Sequence, residues 1–316
     1  MQFTTPITIP QSDHAIDYDS KILAFGSCFA ENVAEKFDYY KFQNTVNLFG
    51  ILFHPCAIHN IIHRAIAEEF FVEQDLFFAN ELWHCFEVHS DCSSNHKENL
   101  LKQLNQKLIV LKTQIQSASH LIITFGTAWV YRKKATQKIV ANCHKVPQTE
   151  FEKELLTATA IQQAIEETLA AIRGVNPNIH VVLTVSPVRH LKDGFIENQQ
   201  SKSNMIIALH QAIRQFPAMA NYFPSYEIMI DELRDYRFYA QDMVHPTAMA
   251  IEYIWEKFSQ TYVSQEGQLI MKQVAVIQQG LHHRPFHLHT ESHQQFLANL
   301  QHKIMLLHEQ FPRISF

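Results

Sequence analysis

Apolar residues in this chain fall into two kinds of run, short continuous blocks and longer stretches with helical spacing, and the two kinds alternate. Lys21 to Phe25 (KILAF), His120 to Phe125 (HLIITF) and residues 179–185 (IHVVLTV) are continuous blocks. Blocks of that length without polar alternation read as strands buried on both faces. A further strand is expected near 42–47, and 226–231 (YEIMID) reads as the last core strand. Helical spacing predicts helices over 30–40, 55–72, 97–116, 150–173, 201–215 and 246–263. Gly174 reads as the stop of its helix, and Pro246 as a first-turn residue of the helix it opens. Two segments interrupt the alternation. Residues 75–90 read as a hairpin turning at Ala79-Asn80-Glu81, and 129–146 as a second hairpin. Alternating strands and helices predict a mostly parallel α/β sheet with crossover helices. From 264 onward the pattern is helical, polar and rich in His and Gln, and it reads as a C-terminal extension (264–316) packed on a main domain over 1–263.

Composition narrows the picture. Hydrophobic residues make up 47% of the 316 and charged residues 18%, enough for a sizeable core. A net charge of -5 gives no electrostatic reason to expect nucleic acid or an anionic membrane as partner. The N-terminal segment has no basic start and no apolar run, so it does not read as a signal peptide. No stretch approaches the roughly 20 apolar residues of a membrane span. The five cysteines are odd in number and scattered, which reads as free thiols in a reducing cytoplasm. Twenty histidines are many, and His282, His283, His287, His289, His293, His302 and His308 gather near the C-terminus. A metal site and a set of solvated surface histidines both fit that count. The spacing matches no zinc pattern, so neither metal nor cofactor is expected. His59 and His63 would share a helix face without an evident third ligand.

Only seven glycines are present, and Gly26, Gly50 and Gly126 follow apolar segments. In an open α/β sheet the ligand crevice lies beyond the carboxyl ends of the strands, where tight turns are needed. Ser27 falls at the end of the first strand and the start of a helix. Its hydroxyl would face that crevice, while its N–H and the helix dipole would favour developing negative charge. The same position also suits a plain helix N-cap. Cys28 is a competing nucleophile at the helix start, unless it points into the core as an inert thiol. Late in the chain, Asp242-Met243-Val244-His245-Pro246 precedes a helix. An Asp three residues before a His can fold back to accept from Nδ1–H and leave Nε2 free as a base. A helix-capping Asp beside a surface His is the alternative. Arg189 and Lys202 are positioned to hold an anionic substrate group or to form loop salt bridges, and His144 and Lys145 carry the same two readings.

Gly26-Ser27-Cys28-Phe29-Ala30 resembles the five-residue signature of the GSCFA family, which is similar to the SGNH/GDSL hydrolases. The resemblance runs through roughly 20–260. It implies a three-layer α/β/α, flavodoxin-like sheet with Ser27 as nucleophile and Asp242 and His245 as the D-x-x-H-P block. Asn47-Leu48-Phe49-Gly50 resembles the block whose Gly N–H joins the Ser27 N–H in binding the oxyanion, with Asn47 beside the substrate. Thr124-Phe125-Gly126-Thr127 occupies the place of the block that usually carries an Asn. Thr127 stands there instead, and Asn142 is a second candidate for the missing donor. The implied activity is bacterial and cytoplasmic: hydrolysis of small O-acyl (such as acetyl) esters, including esters on carbohydrate. A CoA-dependent O-acyltransferase and a non-catalytic carbohydrate- or partner-binding module are the rival readings.

Overall fold

The computed structural model describes residues 4–287 and 290–316. His289 and the first three residues of the N-terminal segment lie outside the described residues. In chain order the elements are β1 (Lys21–Gly26), α1 (Cys28–Tyr39), β2 (Gln43–Val46), α2 (Pro55–Ala67), β3 (Leu76–Ala79), β4 (Leu82–Cys85), α3 (Lys97–Ser117) and β5 (His120–Phe125). There follow β6 (Trp129–Lys133), β7 (Ile139–Val140), β8 (Phe151–Leu155), α4 (Ala158–Val175), β9 (His180–Val185), α5 (Phe195–Gln215) and β10 (Ala220–Phe223). The chain ends in the one-turn helix α6 (Ser225–Glu227), α7 (Ala248–Tyr262), α8 (Gln265–His282) and α9 (Glu291–Gln310).

Five parallel strands form the central sheet in the order β10-β9-β5-β1-β2. Numbering only these five, the order is 2-1-3-4-5, that of the flavodoxin-like doubly wound fold. Successive side chains of a strand point to opposite faces, and the core divides accordingly. Leu23, Phe25, Leu121, Ile123, Val181 and Leu183 join Ile61, Leu104, Leu108, Ile165 and Leu209 in one apolar cluster, built with α2, α3, α4 and α5. Ile22, Ala24, Ile122 and Val182 join Phe37, Trp255, Phe258 and Val274 in the other, built with α1, α7 and α8. That two-sided burial explains why β5 and β9 are apolar without alternation. Leu300, Leu307 and Ile314 of the C-terminal segment belong to the second cluster. Among the described residues no helix is long and apolar enough to cross a membrane.

The first hairpin turns as expected, with Asn80 (φ 48°) and Glu81 (φ 66°) both left-handed, the backbone a two-residue turn needs to match strand twist. Four expectations fail. Residues 151–155 are a strand, not helix: β8 pairs with β6, and FEKEL alternates at period two before Thr157 caps α4. Gly174 does not stop α4; Asn176 caps it. Residues 226–231 are helical, with Ile228 N–H donating to the Pro224 carbonyl at 2.9 Å, and β10 is the last strand. A short apolar run does not separate strand from buried helix. Pro246 lies outside α7, bridged to Tyr239, and Thr247 caps that helix.

Candidate active site

Ser27 follows β1 directly. Gly26 makes the turn possible: its φ is +142°, and a Cβ there would lie 2.1 Å from the Thr124 carbonyl oxygen. Ser27 caps α1, its Oγ accepting from Phe29 N–H at 3.3 Å. An oxygen that accepts keeps its own proton to give, so cap and nucleophile are compatible at this residue. Ser27 is 2% exposed. The Cys28 thiol is pushed up by burial first and then by Glu31, which opposes the thiolate that a Cys nucleophile needs.

Asp242 and His245 meet as the spacing predicts. Asp242 Oδ2 lies 2.6 Å from His245 Nδ1, and Oδ1 accepts from the N–H of Val244 (2.9 Å) and His245 (3.0 Å). Those two N–H groups and the imidazole hold the Asp242 carboxyl well below the usual carboxylate range. Nδ1 is thereby the donor, and Nε2 is the basic nitrogen. Both side chains are about half exposed. The loop is held by Ala240 N–H to His245 carbonyl (2.7 Å), Thr247 N–H to Phe238 carbonyl (2.8 Å) and Arg189 N–H to Val244 carbonyl (3.2 Å). The last bond ties it to the segment leaving β9. Ser27 and His245 therefore belong to the same rim of the sheet, with β5 between their strands, and two strand spacings are about 10 Å. Among the described residues no hydrogen bond joins Ser27 Oγ to His245 Nε2.

The expected oxyanion donors are mostly spent. Ser27 N–H donates to the Thr124 carbonyl at 3.1 Å, and Gly50 N–H to the Asn47 carbonyl at 2.7 Å in a turn where Gly50 has φ +73°. The Thr127 hydroxyl pairs with Ser201 Oγ (2.9 Å) and accepts from Trp129 N–H (3.1 Å). Asn142 accepts from His144 N–H through Oδ1 (2.8 Å), which leaves its amide NH2. Asn47 lies at the rim, but its Oδ1 accepts from Gly26 N–H (2.9 Å) and its amide donates to Glu31 (3.3 Å), so it braces the Gly26–Ser27 turn.

Two substrate-binding expectations are overturned by burial. Lys202 is fully buried, and its Nζ donates to the carbonyls of Gly126 and Ser186, 2.8 Å each, tying the ends of β5 and β9 together. Burial pushes its pKa down to about 7. His144 is also buried, its Nε2 spent on the Cys85 carbonyl at 2.8 Å. Lys145 lies beside it in a left-handed turn, φ +58°.

Another residue at this rim is His190, in the segment Ser186-Pro187-Val188-Arg189-His190 after β9, to which the sequence alone assigns no role. Its Nε2 is buried and unpartnered, and it lies 3.2 Å from where a Cβ on Gly126 would stand. Burial first, then the Lys202 and His245 charges, push its pKa down to about 3, so the ring is neutral. A polar residue five positions past a core strand on the crevice side was the available signal.

A cavity of about 680 Å³ lies elsewhere, between α2, α4 and the hairpins. On its wall Arg64 pairs with Glu87 and Arg132 with Glu154, and His59 Nε2 lies 3.5 Å from Glu167. His59 and His63 share a face, with ring centroids 5.8 Å apart. Among the described residues no three His, Cys, Asp or Glu side chains gather as a metal site would need.

A family model for GSCFA proteins matches residues 21–258, and one for the GSCFA C-terminal domain matches residues 274–316. The chain belongs to the GSCFA family. No curated protein matches this GSCFA chain. Among solved structures, it is similar to an acetyl xylan esterase, Est2A, from the rumen bacterium Butyrivibrio proteoclasticus. The identity is 9% and the TM-score 0.40, over 78% of this chain and 64% of that one. The GSCFA chain thus spans less than two thirds of that enzyme's length.

Proposed function

We propose that this GSCFA protein is a serine-dependent hydrolase of small O-acyl esters. The observation that carries the reading is the Asp242–His245 pair: a 2.6 Å bond that fixes the tautomer and leaves Nε2 basic on the rim that holds Ser27. His245 removes the Ser27 proton, Ser27 attacks the ester carbonyl, and Asp242 stabilises the imidazolium. His245 then protonates the leaving alkoxide, and water releases the acyl group by the reverse sequence. The near-complete burial of Ser27 supports a small acyl group such as acetyl. With the Ser27 and Gly50 N–H groups occupied, the neutral His190 Nε2 and the Asn142 amide are the proposed donors to the oxyanion.

A fluorophosphonate probe tests the assignment. Wild type is expected to label at Ser27, Ser27→Ala not to label, and His245→Ala to lose on the order of 10⁴-fold in ester hydrolysis. Labelling that survives Ser27→Ala and disappears in Cys28→Ala would move the nucleophile to Cys28. A wild-type rate in His245→Ala would reject the pair.

A further inference from the structure

A second cavity, about 350 Å³, adjoins the loop that carries His245. Arg189, Asn198, Gln199, Tyr226, Tyr236 and Tyr239 are among its lining residues. Tyr239 is bridged to Pro246, and Arg189 N–H donates to the Val244 carbonyl, so its wall and the Asp242–His245 loop are one construction.

The guanidinium of Arg189 is stacked on Tyr239, 3.8 Å from the ring centroid. Its Nε and Nη2 are buried and have no hydrogen-bond partner. Buried donors without partners are rare in folded proteins and call for one. Among the described residues no carboxylate pairs with Arg189. Asp235, the carboxylate in the same wall, accepts from Arg237 N–H and faces the Arg237 guanidinium at 3.8 Å. The Arg234 guanidinium pairs with Asp231.

The protein shows twice what this edge of an arginine binds. Arg64 gives Nε and Nη2 to the two oxygens of Glu87, at 2.7 and 2.8 Å. Arg132 gives the same two nitrogens to Glu154, at 3.3 and 2.5 Å. A planar carboxylate matches that fork, and such charge-assisted pairs are strong and directional. Arg189, which lines the cavity and is stacked on Tyr239, carries the same two nitrogens with no acid paired to them.

We propose that this cavity binds a carboxylate-bearing ligand, held bidentate by Nε and Nη2 of Arg189 against Tyr239. Resting on the ester-hydrolase reading, the carboxylate belongs to the alcohol part of the substrate, a hydroxy acid or sugar acid whose acylated hydroxyl reaches Ser27.

Calorimetry with 3-phenylpropionate, 3-phenylpropionamide and inorganic phosphate tests it on the intact chain. Saturable binding of the carboxylate is expected, at least about tenfold tighter than its amide, with Arg189→Lys losing about tenfold because a point charge does not reproduce the fork. A shifted Arg189 Nε–H resonance on addition of the carboxylate is the parallel readout in unmutated protein. Equal affinity for acid and amide, an unchanged affinity in Arg189→Lys, or no saturable binding of the acid would overturn the proposal. Tighter binding of phosphate than of the carboxylate would overturn the carboxylate assignment. Ser27→Ala is expected to bind the carboxylate as wild type does. Loss of ester hydrolysis and failure of carboxylate binding are therefore read separately.

Discussion

His190 shows how a single side chain acquires a role from its surroundings. In the sequence it is one histidine among twenty. In the fold, burial beside Lys202 and His245 keeps it neutral down to about pH 3, and its buried Nε2 meets no partner. A neutral imidazole offers one N–H without the desolvation cost of an ion. Removing one oxyanion donor costs on the order of 100–1,000-fold in kcat. His190→Ala is therefore expected to lower kcat by that much while KM changes little, and His190→Gln, which keeps a donor, to recover part of it. Steady-state kinetics on an acetyl ester decide the matter, and an unchanged kcat in His190→Ala removes His190 from the site. Because His190 stays neutral at ordinary pH, the acid limb of the rate profile should survive in His190→Gln. The turn that carries Ser27 and the Asp242–His245 contact were legible because each is local: one turn after a strand, and one i,i+3 pair. Lys202 was misread for the opposite reason. A lysine in a sequence reads as a cation free to meet an anion, and only packing shows this one buried against two carbonyls.

Elements were legible where their pattern is written in their own residues. The apolar blocks of β1, β5 and β9 and the long helices α1 and α3 stand close to where their spacing put them. β8 and β10 were missed because each is short and is stabilised by a neighbour: β8 by β6, and β10 by β9. The apolar run after Pro224 misled because burial, not strand formation, demands it. The C-terminal helix depends on tertiary contact in the same way. On α9, Leu300 and Leu307 are buried, and Leu300 lies against Gly280 of α8 with little space between. A buried Leu→Ala change costs about 2–5 kcal/mol. Leu307→Ala is expected to lower stability by about that amount and to strip hydrogen-exchange protection from residues 291–310 before β5 is affected. Equal loss of protection in α9 and β5 would show that α9 does not open on its own.

For the molecule as a whole, buried histidines tie stability to pH. His54 is buried as the N-cap of α2, Nδ1 accepting from Ala57 N–H (3.2 Å) while Nε2 faces the Val140 carbonyl (3.1 Å). Burial pushes its pKa down to about 4 from the usual 6.5. His144 is pushed down to about 4 by burial, and so is His180, where His14 and His120 add like charge. Above pH 6.5 these rings are neutral in both folded and unfolded chains, and stability is unaffected. As pH falls from 6.5 to about 4, the unfolded chain takes up protons that these folded rings refuse, so the stability they govern is lost across that window. The fully buried His54 alone corresponds to about 3 kcal/mol over the window. Urea denaturation at pH 7, 5.5 and 4.5 should show the decline. His54→Asn, which retains a capping oxygen, should flatten it, and a curve of unchanged steepness would rule out His54 as a contributor.

By itself the sequence determined the alternation of strands and helices, the parallel sheet, the turn that carries Ser27 and the Asp242–His245 pair, because each depends on residues near one another along the chain. Only the tertiary structure decided which charges are buried, which N–H groups are already spent, and that His190 and Arg189 present unpartnered nitrogens beside the same loop. Those properties depend on solvent exclusion and on neighbours from distant segments, and no local pattern encodes either.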